Sequence, residues 1–142
     1  MDERTRQRIL EKATYVADAL TVLAEKRDEL SFEEYRERRE ARDVVEREFE
    51  TAIEACIDIR KMLLRVTSAT VPDRNAQVFH ELGRTDVLDE ETAQRMAEAA
   101  GFRNVLSHQY WNDIDDEDVY NVLQSDLPVF RDYLEQVREC LV

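Results

Sequence analysis

The sequence predicts an all-α fold, an antiparallel bundle of four to five helices that forms a single domain over residues 1–142. The chain holds only two glycines and two prolines in 142 residues, too few for the many turns of an all-β fold. Charged residues make up 37% of it, as expected of helices that each bury one apolar face. The length suits one domain with its own hydrophobic core.

A first helix is predicted from Glu3 to Glu29, because apolar side chains recur there at spacings of four and three. They are Ile9, Ala13, Val16, Leu20 and Leu23. Ser31 follows, with Glu34 three residues later. This pair forms a capping box and indicates that a new helix begins there.

A second long helix is predicted from about Phe32 or Glu37 to Ser68. Its first apolar strip consists of Val45, Phe49, Ala52, Cys56, Ile59, Leu63 and Val66. A second strip beside it consists of Ile53, Ile57 and Leu64. An apolar face this wide has two explanations, which the sequence leaves open. The helix either contacts a partner subunit as well as the core, or occupies the centre of the bundle.

The helix is expected to break at Val71-Pro72, and Asp73 is expected to cap a short helix that ends at Gly83. Asp89 is expected to cap the next helix. The inward stripe of that helix consists of Ala93, Met96, Ala97 and Ala100.

The last helical stretch is expected to begin at Asp115, a plausible cap residue. Pro128 is expected to bend or restart it near residues 125–127. Its apolar residues are Val119, Val122, Leu123, Phe130, Tyr133, Leu134, Val137 and Leu141.

The net charge of -13 disfavours a broad nucleic-acid-binding surface, because a strongly acidic protein surface repels polyanions. Arginine supplies 17 of the 20 basic residues, so any contact with RNA is expected to be local and arginine-based. The acidic surface is interpreted as a solvated one, and the scarcity of lysine suggests the hypothesis of a salt-rich cytoplasm.

Cys56 and Cys140 fall in apolar helical stretches and are expected to be buried, reduced thiols that form neither a disulfide framework nor a zinc site.

The residues after Met1 are charged and unlike a signal peptide, and no stretch is apolar over the length of a membrane span. The sequence therefore predicts a cytoplasmic protein that does not enter a membrane.

The segment from residue 103 to 110 holds the residues best suited to phosphate chemistry. It contains Arg103, Asn104, Ser107, His108 and Tyr110, in a chain with only two histidines. On an ideal helix Asn104 and His108 prolong the alanine stripe of the preceding turns. Arg103, Ser107 and Tyr110 lie on a neighbouring strip. Polar residues on an inward face indicate either a hydrogen-bonded core cluster or a cleft, and the spacing alone leaves both open.

Residues 101–111, with the pattern R-x4-H-x-Y, resemble the signature of the HepT-like toxins of the HEPN superfamily, also known as the DUF86 family. The resemblance extends over most of the chain. It includes the long first helix, Asp58 on the second, the Val71-Pro72 break before Phe79, and Ile114-Asp115 ahead of the last helix.

The resemblance implies a homodimeric helical bundle that acts as a metal-independent endoribonuclease, the toxin of a type II-like toxin–antitoxin pair. It implies that Arg103 and His108 of both subunits are catalytic and that Asn104 and Ser107 support them. It further implies that an MNT-type nucleotidyltransferase antitoxin silences the toxin by transferring AMP to Tyr110. The implied partners are a second copy of the chain, that antitoxin and RNA, with no cofactor and no metal.

Two other functions remain open on the residues alone. One is a non-catalytic HEPN module whose motif binds a nucleotide or docks a nucleotidyltransferase. The other is a structural helical dimer in which Asn104 and His108 form a buried polar cluster.

Structural roles are expected for the other candidate residues, one in the preceding short helix and the rest next to the motif. His80 has no second ligand at a spacing that would hold a metal. Trp111 is expected to pack beneath a polar turn, with base stacking as the alternative. Asp113, Asp115 and Asp116 are expected to be turn and cap residues, with repulsion of substrate as the alternative.

Overall fold

The computed structural model describes residues 1–67, 79, 87–108 and 115–141, and for Thr67, Ser107 and His108 it describes the backbone alone. These residues form six helices and no strand, which confirms the all-α prediction. The helices are α1 (Glu3–Glu29), α2 (Phe32–Glu37), α3 (Arg39–Thr67), α4 (Glu90–His108), α5 (Asp116–Ser125) and α6 (Leu127–Cys140).

Helices α1, α3, α4 and α6 form an antiparallel four-helix bundle in which each packs against the next and α6 closes on α1. The start of α1 lies beside the end of α6, where Arg6 Nε donates to the carbonyl of Leu141 at 3.2 Å. The end of α1 lies beside α5, where Gln124 Nε2 donates to the carbonyl of Arg27 at 3.2 Å. The predicted four- to five-helix bundle is confirmed.

The short helices α2 and α5 pack together across one end of the bundle. The hydroxyl of Tyr120 on α5 donates to the carbonyl of Leu30 at 2.8 Å, and its ring lies 5.7 Å from that of Tyr35 on α2. This is also the end of the bundle at which α4 finishes.

Both apolar strips of α3 are buried within this single chain, apart from the last residue of the first strip. The wide apolar face is therefore explained by a central position in the bundle, and burial of Ile53, Ile57 and Leu64 requires no partner subunit. The exception is Val66, which was expected to be inward but is 45% exposed. Because Lys12 pairs with Asp58, Val66 lies level with the first turn of α1, at the open end of the bundle.

Side-chain caps begin three of the helices as predicted. The capping box at α2 is complete, since Glu34 N donates to Ser31 Oγ and Ser31 N donates to Glu34 Oε1, both at 3.2 Å. Asp89 accepts from Thr92 N at 2.7 Å ahead of α4. Asp115 accepts from Glu117 N at 2.9 Å ahead of α5.

One helix break was not predicted, and another falls near its expected place. Arg38 has extended backbone angles and separates α2 from α3, so the predicted second helix is two helices. Asp126 separates α5 from α6 just before Pro128. Of the short helix expected between Asp73 and Gly83, only Phe79 lies within the described residues, and it is helical and buried.

The two cysteines differ in exposure. Cys56 is buried, but Cys140 is exposed, so the prediction of two buried thiols is wrong for Cys140. It is the last residue of α6, where the inward stripe continues from Val137 to Leu141 and leaves position 140 in solvent. Within the described ranges, none of the helices is long and apolar enough to cross a membrane.

Candidate functional site

Arg103 continues the inward face of α4. The preceding inward residues Met96 and Ala100 are buried, and the next steps along that face are Arg103 and Leu106. The side chain of Arg103 is 21% exposed. The adjacent Phe102 packs edge-on against Phe49 of α3, with ring centroids 5.7 Å apart, and this contact fixes α4 against α3 at the same turn.

The guanidinium of Arg103 is only partly engaged by its surroundings. Its Nη2 lies 3.7 Å from Oε2 of Glu54 on α3, close enough for an ion pair but too long for a hydrogen bond. Its Nε is buried and has no hydrogen-bond acceptor within the described part of the chain. The buried Nε cannot be reached from solvent, but the 3.7 Å ion pair leaves the terminal nitrogens able to donate to an anion such as phosphate.

Asn104 does not prolong the inward stripe, which corrects the prediction from ideal spacing. Its side chain is exposed. The inward face passes from Ala100 to Arg103 and then to Leu106 in two steps of three residues. A step of three residues turns by about 300° around the helix axis, whereas a step of four turns by about 400°. Position 104, four residues after Ala100, therefore lies about 100° from position 103 and points outward. Within the single chain, Asn104 is therefore not part of a buried polar cluster.

The backbone of α4 places His108 at the last helical position, five residues beyond Arg103. Five residues of an α-helix turn by about 500°, so the two Cβ positions lie about 140° apart around the helix axis. The same two positions are separated by about 7.5 Å along the helix axis. The arginine and the histidine of one chain therefore do not share one face of α4.

Several predicted candidates lie outside the described residues: His80, Tyr110, Trp111 and Asp113. In the turn that follows them, Asp115 caps α5, and Asp116 lies 4.0 Å from the guanidinium of Arg42. The interpretation of Asp115 as a cap residue is supported, whereas Asp116 is the first residue of α5. Among the residues that the structure describes, no three His, Cys, Asp or Glu side chains are grouped to hold a metal ion.

Glu54 also lines an open groove between α1 and α3, whose volume is about 500 Å³. Within it, Lys12 Nζ lies 3.4 Å from Oδ2 of Asp58. The charged residues that line the groove are Arg8, Glu11, Lys12, Glu54 and Asp58. Glu54 therefore lies beside both the guanidinium of Arg103 and a groove that contains two further cations.

Arg60 is a buried charge that the sequence analysis missed. Its side chain is fully buried, and its Cζ lies 3.0 Å from the ring centroid of Phe79 and 4.6 Å from that of Tyr133. None of its nitrogens has a hydrogen-bond acceptor in the described residues. Burial lowers the pKa of the guanidinium to about 10, which still leaves it protonated near neutral pH. The signal was available, because Arg60 lies between Ile57 and Leu64 at helical spacing in the second apolar strip.

The fold is that of the HEPN toxins. The chain is similar to the tri-AMPylated HEPN toxin of Shewanella oneidensis, solved in complex with an MNT antitoxin. The TM-score is 0.85 at 19% identity, over 98% of this chain and 99% of that one. A toxin–antitoxin structure with AMP-PNP has a TM-score of 0.86 at 18% identity, over 94% and 98% of the two chains. At these identities the likeness concerns the fold.

The chain belongs to the ribonuclease HepT-like family, whose sequence model matches residues 9–137. It is similar to the tRNA nuclease HepT of Aphanizomenon flos-aquae, with 29% identity over 115 residues, or 81% of this chain and 78% of that protein. It is also similar to a putative RNase of Archaeoglobus fulgidus, with 29% identity over 141 residues, or 96% and 95% of the two chains. The resemblance inferred from the R-x4-H-x-Y segment is confirmed.

Proposed function

We propose that this chain is a metal-independent endoribonuclease and the toxin of a type II-like toxin–antitoxin pair. The observation that carries the proposal is the state of Arg103. This arginine of the R-x4-H pattern lies on the inward face of α4 but is 21% exposed, and its ion pair with Glu54, at 3.7 Å, occupies none of its terminal hydrogen-bond donors. Membership of the ribonuclease HepT-like family and the nuclease names of both relatives support the same activity.

The residues of the motif suit RNA cleavage by an internal nucleophile. The 2′-hydroxyl attacks the adjacent phosphorus and loses its proton to a base, and the bond from phosphorus to the 5′-oxygen breaks as an acid protonates that oxygen. His108 supplies the imidazole for these proton transfers, since imidazole exchanges protons near neutral pH. Arg103 holds the phosphate and offsets the charge that develops on its oxygens. The products are a 2′,3′-cyclic phosphate and a 5′-hydroxyl.

A homodimer gives this mechanism the groups that one chain lacks. One His108 cannot act as base and as acid in the same step, and Arg103 and His108 project about 140° apart around α4. Two chains bring two copies of each residue to one cleft. The exposed Asn104 can then support the site from the outer face of α4, together with Ser107.

Silencing is proposed to occur by transfer of AMP from an MNT-type nucleotidyltransferase to Tyr110. The similar Shewanella toxin is itself AMPylated and bound to an MNT antitoxin. Tyr110 follows His108 by two residues, so an attached AMP would place a bulky anion beside the cleft and repel RNA. An RNA substrate implies that the protein acts in the cytoplasm.

The experiment that tests the proposed activity compares RNA cleavage by wild type, Arg103→Gln and Arg95→Gln. Arg95 is exposed on the same helix, so its variant removes the same charge away from the motif. We expect Arg103→Gln to lower the cleavage rate by about 100-fold or more, because a preorganised donor to the reacting phosphate is lost. Arg95→Gln should cleave as wild type does. Equal cleavage by Arg103→Gln and Arg95→Gln contradicts the role of Arg103.

A further inference from the structure

Glu54 neutralises the charge of Arg103 without using its hydrogen-bond donors. The carboxylate of Glu54 is 54% exposed, and its Oε2 stays 3.7 Å from Nη2 of Arg103. The buried Nε of the same guanidinium has no acceptor in the part of the chain that is described. The pair therefore balances charge but occupies none of the terminal hydrogen-bond donors of the guanidinium.

A phosphate is the better ligand for this guanidinium. An ion pair as exposed as that between Glu54 and Arg103 contributes little to stability, because water and salt screen it. A phosphate that accepts from the two terminal nitrogens makes two parallel charge-assisted hydrogen bonds. A bound phosphate also repels a carboxylate that remains at the same guanidinium.

We propose that Glu54 is a placeholder for the substrate phosphate. It neutralises Arg103 and holds it in position while the site is empty, and it moves away when a phosphate of RNA binds. The proposal rests on the proposed function, because it takes Arg103 as the residue that binds phosphate. Glu54 is a positioning residue in this account and takes no part in the proton transfers.

The surroundings of Glu54 offer its carboxylate a second place. Glu54 lines the open groove between α1 and α3, and Arg8 and Lys12 line the same groove. Lys12 already pairs with Asp58, and Glu11 also lines the groove, so Arg8 is the cation towards which a carboxylate displaced from Arg103 can turn. The exchange lowers the affinity for any isolated phosphate, so it favours ligands that contact the protein at further points, as an RNA strand does.

The test measures binding of a single-stranded RNA that carries 2′-O-methyl groups throughout and so lacks the attacking hydroxyl. Fluorescence anisotropy at constant salt compares wild type, Glu54→Gln and Glu48→Gln. Glu48 is half-buried on the same helix, and its variant makes the same change in net charge at a residue other than the one that pairs with Arg103. We expect Glu54→Gln to bind roughly three- to tenfold more tightly than wild type and Glu48→Gln to differ little from it.

Arg103→Gln provides the second arm and separates this inference from the proposed function. In that background Glu54→Gln should give no more than the effect of Glu48→Gln, because no guanidinium remains to be released. Equal binding by Glu54→Gln and Glu48→Gln in otherwise wild-type protein, or weaker binding by Glu54→Gln, overturns the placeholder. If Arg103→Gln itself binds RNA as wild type does, the phosphate-binding role of Arg103 fails, and both proposals fail with it.

Discussion

Arg103 and Arg60 both occupy inward positions on their helices, but their surroundings give them different roles. Arg103 keeps access to solvent and has a carboxylate nearby, so an anion can reach it. Arg60 is fully buried against the rings of Phe79 and Tyr133. A desolvated cation over aromatic rings stabilises packing but cannot exchange ligands with solvent. We therefore assign Arg60 to the core and Arg103 to the site.

If Arg60 is a core residue, its volume should contribute more to the free energy of unfolding than its charge does. We expect Arg60→Met to change the free energy of unfolding by less than about 2 kcal/mol, because a buried charge can be replaced by an apolar side chain of similar volume. Arg60→Ala should lose about 3 kcal/mol, because it leaves a cavity between the two rings. Urea denaturation measures both. A larger loss for Arg60→Met than for Arg60→Ala contradicts this assignment.

The two cysteines are predicted to react at very different rates. Burial raises the pKa of the Cys56 thiol from 9.0 to about 12, whereas Cys140 is exposed. At mildly alkaline pH a thiol reagent should modify one cysteine quickly and the second only after denaturant is added. Cys140→Ser should abolish the fast phase. Two fast thiols in the folded wild type contradict the burial of Cys56.

The same pKa shift sets a pH dependence of stability. The folded state holds the Cys56 proton more tightly than the unfolded state, so this stabilisation is complete below pH 9.0 and is lost as the pH rises towards about 12. Burial also raises the pKa of Tyr35 and Tyr133, and both act in the same direction. The lowered pKa of Arg60 acts in the opposite direction over the most alkaline part of this range.

At the scale of the helix, α4 contains a glycine that the fold of the described chain does not require. Gly101 is exposed in the interior of α4, and a Cβ added to it would have no atom within 4 Å among the described residues. We expect Gly101→Ala to raise the free energy of unfolding of the isolated chain by about 0.5 to 1 kcal/mol, since alanine restricts the unfolded backbone. Denaturation at low protein concentration measures it. A loss of stability would contradict the open space around Gly101, because it would mean that the added methyl group meets other atoms.

Helix boundaries and inward faces were predictable where local chemistry determines them. The capping box at Ser31, the caps at Asp89 and Asp115 and the restart before Pro128 follow from side chains that bond their own backbone or restrict it. The three wrong expectations concern Asn104, Cys140 and Val66, which all lie in or near a last helical turn. There, exposure depends on where neighbouring helices end, which periodicity within one helix does not reveal.

At the scale of the whole molecule, the composition of the chain was enough to predict an antiparallel bundle, and the motif was enough to predict the family. The pairing of Arg103 with Glu54 and the stacking of Arg60 on Phe79 join residues that are distant in sequence. Contacts of this kind depend on which helices become neighbours and at what register. They could not be derived from spacing along one helix, and they add Glu54 to the candidate site.

The central claim is that the homodimer cleaves RNA without a metal ion. Its most direct test is an RNA-cleavage assay in EDTA at low and high salt, with wild type and His108→Ala, after mass spectrometry has confirmed that Tyr110 is unmodified. We predict that wild type cleaves and leaves 2′,3′-cyclic phosphate ends, and that His108→Ala does not cleave. Failure of a folded, unmodified wild-type dimer to cleave, or equal cleavage by His108→Ala, contradicts the account. The first of these results would favour a module that binds a nucleotide or docks a nucleotidyltransferase.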